Sequence, residues 1–126
     1  MKISSHRDLD VYRKAIEAAM AIFECSKTFP KDEVYSLTNQ IRRSSRSVCA
    51  NLAEAWRKRR YRAAFVSKLS DSEGEAAETQ VWIELGVKCG YLDRERALAL
   101  YETYEELLRM MVAMINHPEC WTIREK

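Results

Sequence analysis

The chain is poor in the residues that make turns: 126 residues include only 3 Gly and 2 Pro, the prolines at positions 30 and 118. A β-rich fold needs a turn every few residues and builds it from these types, so the scarcity excludes that class and fits long helices joined by few loops. Histidine is scarcer still, with His6 near one end and His117 near the other. Di-iron bundles require Glu-x-x-His pairs on facing helices. Glu75 and Glu78 have i, i+3 spacing, but no His follows either at that interval. There is no H-E-x-x-H and no Gly-rich phosphate loop. The four cysteines, Cys25, Cys49, Cys89 and Cys120, are widely and irregularly spaced, whereas metal sites cluster their ligands. An even count permits disulfides, but three of the four fall inside helical patterns, where a free thiol behaves as a small hydrophobe. A reduced, cytoplasmic protein is the expectation. No apolar run approaches the roughly 18 residues of a membrane span, and the first eight residues contain no apolar signal-peptide core. The absences together predict a non-enzymatic protein with no catalytic residues, no metal, no cofactor and no membrane segment.

What is present is globular: 47% hydrophobic and 32% charged residues, in a length that suits one domain with its own core. Asp8 is a good N-cap, and Leu9, Tyr12, Ile16, Ala19 and Phe23 then recur at spacings of three and four. Pro30 ends that segment, so the first helix is placed at 9–28. Asp32 can cap the second, whose stripe runs Val34, Leu37, Ile41, Val48 and Leu52 with Ser44 or Ser45 between. Neither Gly nor Pro occurs from 31 to 73, and propensity alone would carry this helix to Gly74. Length decides otherwise, because the helices of a bundle must span the same distance. A break near 58–61 gives helices of matching length, so the second is placed at 32–58 and the third at 61–89. Gly74 then lies inside the third helix, where it costs roughly 1 kcal/mol against Ala and where a close helix contact would account for it.

The third helix carries Phe65, Leu69, Ala76, Thr79 and Ile83 on one line, with Ser72 also at a core position. Gly90 suits a C-cap. Asp93 suits the N-cap of a fourth helix at 93–116, with Ala97, Tyr101, Tyr104, Leu108, Met111 and Ile115 as its stripe. Pro118 stops it, leaving a loosely held tail. The predicted fold is one all-α domain over 1–126, an antiparallel up-and-down four-helix bundle. Extra apolar lines, Leu100, Leu107, Met110 and Met114 on the fourth helix and Trp82 and Leu85 on the third, have two readings: a wide core-facing stripe or a self-association surface.

Net charge is only +2 but unevenly laid out. Residues 1–41 are balanced, residues 42–68 hold nine basic residues against Glu54 alone, and residues 69–126 hold six basic and twelve acidic. Such a block implies internal pairing or an anionic partner. A turn near 59–60 brings Arg42 and Arg43 level with the stretch between Glu75 and Glu78, and Arg46 level with Glu73, which predicts inter-helix ion pairs. Asn51, Glu54, Thr79 and Gln80 are read with them as a polar network that fixes helix register. The tip remains unpaired. Arg57, Lys58, Arg59, Arg60 and Arg62 surround Tyr61, with Trp56 just before, which is the composition of a phosphate-binding patch with aromatics for stacking. The alternative is a solvated helix end, favoured by the negative pole of the second helix.

The segment from Gln40 to Ala55, QIRRSSRSVCANLAEA, resembles the pattern Q-I-R-R-A-x-x-S-I-P-x-N-I-A-E-G of the 23S rRNA intervening-sequence proteins, or S23 proteins. Asp8 to Ala15 is similar to that family's L-x-V-W-x-K-A, Phe29 to Leu37 to its F-P-x-x-E-x-Y-x-L, and Glu75 to Gln80 to its E-L-E-T-Q. Cys49 and Ala55 stand where the family has Pro and Gly, which leaves the end of the second helix open. The resemblance implies a four-helix bundle and a ring-shaped homo-oligomer, typically a pentamer. Relatives accompany reverse transcriptases and bind nucleic acid through basic surfaces. The resemblance also marks Arg42, Arg43, Asn51, Glu54, Glu78, Thr79 and Gln80 as family positions. Two functions follow as expectations: a homo-oligomeric accessory protein binding RNA or DNA through the tip, with a reverse transcriptase as a candidate partner, or a protein-interaction scaffold without nucleic-acid binding.

Overall fold

The computed structural model describes residues 3–123, and its core is built by four helices: α1 (Asp10–Ser26), α2 (Leu37–Arg57), α3 (Arg62–Lys88) and α4 (Arg94–Asn116). Each packs antiparallel on the next, and α1 closes the square against α4. Short 3-10 turns at His6–Asp8, Lys31–Glu33 and Pro118–Cys120 flank them. The break between α2 and α3 falls where matched helix length required it.

Two helix starts differ from the sequence expectation. Asp8 does not cap α1. It closes a capping box with Ser5 around the preceding 3-10 turn, accepting hydrogen bonds from the backbone N–H groups of Ser4 and Ser5. Nor does Asp32 start α2, which begins five residues later at Leu37. Glu33 is the organising residue there: its carboxylate accepts from the Ser36 hydroxyl, the Leu37 N–H and the Tyr91 hydroxyl. Val34 and Tyr35 are thereby left on an exposed turn rather than on the helix stripe. The other ends follow expectation. Asp93 accepts from the Arg96 N–H at 2.8 Å. Gly90, at φ +79°, closes α3 with hydrogen bonds from Gly90 N–H to Val87 O and Tyr91 N–H to Gly86 O.

The buried faces show which apolar lines are core. In α1 the interior line is Val11, Ala15, Ala18, Ile22 and Cys25. Of the expected stripe only Leu9 is buried; Tyr12, Ala19 and Phe23 are half-buried and Ile16 is 39% exposed, with Met20 beside it at 53%. The expectation was one position out because α1 is apolar around most of its girth, and close packing selects the small alanines. In α4 Leu100, Leu107 and Met114 of the extra line are buried with Ala97, Tyr104 and Met111 of the expected stripe, whereas Met110, Leu108 and Ile115 are half-buried and Tyr101 is exposed. The α3 stripe is buried as expected, including Ser72 and Thr79. Small residues dominate the α2–α3 seam, and its polar groups are paired across it. The Ser72 hydroxyl donates to Val48 O at 2.9 Å and the Thr79 hydroxyl to Ser44 Oγ at 2.8 Å. Gly74 is no part of any close contact: a side chain there would meet nothing within 4 Å. The close glycine approach is at Gly86, where an added Cβ would stand 3.0 Å from Leu92.

Candidate nucleic-acid interface

The tip is a reverse turn of residues 58–61 between α2 and α3. The Lys58 and Arg59 N–H groups continue into the last carbonyls of α2, Tyr61 N–H donates to Lys58 O, and Tyr61, in an extended conformation, is the N-cap of α3. Arg57, Lys58, Arg60 and Arg62 are exposed and make no ion pair among the described residues. Tyr61, 62% exposed, stands among them. Arg59 is different. It folds back over the Trp56 ring, 3.8 Å from guanidinium to centroid, and donates to Trp56 O at 2.8 Å. Trp56 is thus buried beneath a cation, which leaves Tyr61 as the aromatic of the tip that faces outward.

The segment after α4 reaches the tip, where the sequence suggested a loose tail. Ile123 N–H donates to Arg59 O at 3.0 Å, and Glu119, Thr122 and Ile123 form a groove with Arg60, Tyr61 and Arg62. The Glu119 carboxyl is held below its ordinary range by a hydrogen bond from its own backbone, with His117 and Arg62 adding to the effect. Nothing in the sequence spacing signalled this approach; residues 124–126 of the expected tail lie outside the described part.

The expected register network does not form one cluster. Arg43 bridges Glu75 at 3.1 Å and Glu78 at 2.6 Å, as the antiparallel register required. Glu54 pairs instead with Lys68 at 3.3 Å, and Gln80 turns to α4, donating to Glu105 at 3.1 Å. Asn51 donates within its own helix to Ser47. Arg42 and Arg46 face α1, not α3. Arg42 donates to Ser26 Oγ at 2.7 Å with its guanidinium 4.8 Å from the Phe23 ring, and Arg46 lies 6.0 Å from that ring rather than beside Glu73. Arg42 and Arg46, four residues apart, share the flank of α2 that faces α1.

The cysteines are free. Cys25 and Cys49 are buried, and burial pushes the Cys49 thiol up to about 11. Cys89 and Cys120 are exposed. No helix among the described residues is long and apolar enough to cross a membrane.

Fold and register together define an all-α, antiparallel four-helix bundle with one basic end. The family model of the 23S rRNA-intervening sequence proteins matches residues 7–113, and the chain belongs to that family. A crystal structure from Bacteroides thetaiotaomicron, of a protein of unknown function from the S23 ribosomal protein family, is similar at 30% identity and a TM-score of 0.76. The match covers 83% of this chain and 97% of that one. Comparison with curated proteins finds no significant match.

Proposed function

We propose that this chain is a non-enzymatic, homo-oligomeric accessory protein of the cytoplasm that binds RNA or DNA through the α2–α3 tip. The observation that carries the reading is the set of exposed cations, Arg57, Lys58, Arg60 and Arg62, none within ion-pair distance of a carboxylate among the described residues, disposed around an exposed tyrosine with Glu119 the one acid lining their groove. Cations paired internally, as Arg43 is, have little left to offer a phosphate; unpaired ones release counterions when a polyanion binds. Tyr61 supplies a face on which an unpaired base can stack. Repetition of the tip around an oligomer multiplies its effective concentration toward a long nucleic acid.

The test is binding to structured RNA, duplex DNA and single strands at two salt concentrations. Wild type is compared with a variant carrying Gln at positions 57, 58, 59, 60 and 62. Affinity that falls steeply with salt in wild type and is lost in the variant supports the proposal. Equal binding by both proteins, or none at low salt, overturns it and leaves the tip a solvated helix end. The scaffold reading has its own observation, the apolar side chains left outside the core on α1 and α4, and would then take precedence.

A further inference from the structure

The groove at the tip has two walls from distant parts of the chain, and they differ in charge. One wall is the α2–α3 turn with Arg60, Tyr61 and Arg62; the other is the segment after α4, with Glu119, Thr122 and Ile123. The second wall is anchored. Pro118 opens a 3-10 turn that the Trp121 and Thr122 N–H groups close on Pro118 O at 3.0 and 2.9 Å. Trp121 packs against the core, and Ile123 N–H holds Arg59 O. The groove measures about 540 Å³, within the roughly 300–1,000 Å³ of clefts that take small molecules. That is room for one nucleotide and not for a duplex.

Cation and acid belong to different walls. On the turn side, Arg62 opens α3, no side chain caps the helix, and its first turn holds no acid. A helix of 27 residues thus presents an uncapped positive pole beside Arg60 and Arg62, which suits a phosphate. On the other wall stands Glu119, the one acid of the lining. Its carboxyl is held below the ordinary range, chiefly by its own backbone N–H, and His117 Nδ1 lies 3.5 Å away. A carboxylate repels a phosphate and only accepts hydrogen bonds. Tyr61, 62% exposed, offers its ring to the same groove. A nucleotide has the matching polarity, with a phosphate at one end and a flat base with a hydrogen-bonding edge at the other.

We infer that this groove takes one unpaired guanine nucleotide of a nucleic-acid strand, with its phosphate at Arg60 and Arg62, its base on the Tyr61 ring and its base-pairing edge on the Glu119 carboxylate. The inference rests on the tip reading above and adds to it the base that is read. Guanine is singled out by its edge. Its N1–H and N2–H are adjacent donors that one carboxylate accepts together. Adenine and cytosine set a ring-nitrogen acceptor beside a single amino donor, and uracil or thymine flanks one N–H with two carbonyls. Each of these turns a lone pair toward the carboxylate. In a duplex the guanine edge is already occupied by cytosine, so the base must be unpaired to be read, as in the single-stranded segments where proteins read RNA by sequence.

The test is fluorescence anisotropy with short thymidine strands carrying one central guanine, adenine, cytosine or hypoxanthine. Wild type should favour guanine over adenine, cytosine and the all-thymidine strand by roughly five- to hundredfold, the discrimination of a two-bond base contact. Hypoxanthine keeps N1–H but lacks the 2-amino group and should fall between. Glu119→Gln should erase the guanine preference and bind the all-thymidine strand more tightly, because a negative charge leaves the groove. Glu119→Ala should do the same without an amide to contact the base. Tyr61→Ala should weaken every single strand and Tyr61→Phe should not. Both positions are exposed, so circular dichroism should match wild type. Free guanosine monophosphate should displace the guanine strand only far above the concentration at which unlabelled strand does; equal displacement overturns the assignment to a strand. Equal affinity for all bases, or a guanine preference that survives both Glu119 variants, overturns the guanine assignment and leaves salt-sensitive tip binding standing. No binding of any strand at low salt overturns the tip reading with it.

Discussion

Single residues in this bundle divide by whether their surroundings use what they are. Gly74 is not used: it sits in the interior of α3 with open space where a side chain would stand. Gly74→Ala should therefore stabilise the fold by about 1 kcal/mol, the helix-propensity difference. That corresponds to a rise of roughly 3–5 °C in melting temperature for a domain of this size, read by thermal denaturation. Gly90, by contrast, occupies a left-handed conformation that L side chains resist. The cysteines divide in the same manner. Cys89 and Cys120 should react with a thiol reagent at once in the native protein, whereas Cys25 and Cys49 should react only on unfolding. Burial of Cys49, with its thiol raised to about 11, withholds the thiolate that is the reactive species. At the tip, each of Arg57, Lys58, Arg60 and Arg62 changed singly to Gln should lower the salt dependence of binding by roughly 0.7–0.9 in log–log slope. Arg59→Gln should lower it less and loosen the packing over Trp56 instead, because its guanidinium is already occupied.

At the scale of elements, the start of α2 is organised by Glu33. Glu33 anchors the turn before α2 to Tyr91 beyond α3, with 2.8 Å between Tyr91 Oη and Glu33 Oε2. Its carboxyl is held below the usual range, first by the Ser36 hydroxyl, then by Tyr91 and the Leu37 N–H. A carboxyl depressed in the folded state contributes stability above its unfolded pKa, and the contribution disappears as pH falls through the lower folded value. The Tyr91 phenol is raised to about 12, chiefly by the same bond, so its contribution is present below the ordinary tyrosine range and lost as pH rises toward that value. Glu33→Gln should thus flatten the acid limb of the stability–pH curve and Tyr91→Phe the alkaline one, by denaturant titration across pH. The Glu33–Tyr91 contact was not legible in the sequence, because it joins residues 58 positions apart. Helix number, the α2–α3 break, the α4 cap and the Arg43 bridge were legible, since periodicity, matched length and antiparallel register are local or geometric. The interior line of α1 was not. With Tyr12, Ile16 and Met20 beside Val11, Ala15 and Ala18, hydrophobicity is present on several flanks, and only the packing of small residues separates core from surface.

For the whole molecule, the basic tip occupies one end of the bundle and the sides of the helices are distinct from it. The tip belongs to α2 and α3, whose polar seam is satisfied by Ser72 and Thr79, so it is carried on a well-packed stalk.

The two exposed thiols give the protein a ready optical ruler. Cys120 lies in the segment that folds against the tip, and Cys89 caps the other end of α3, a helix of 27 residues. At 1.5 Å per residue the thiols stand about 40 Å apart along the bundle. A dye on Cys120 in a Cys89→Ser background would sit beside any strand on the tip and change brightness when the strand arrives. The same dye on Cys89 with Cys120→Ser would be silent, a control built into the same fold.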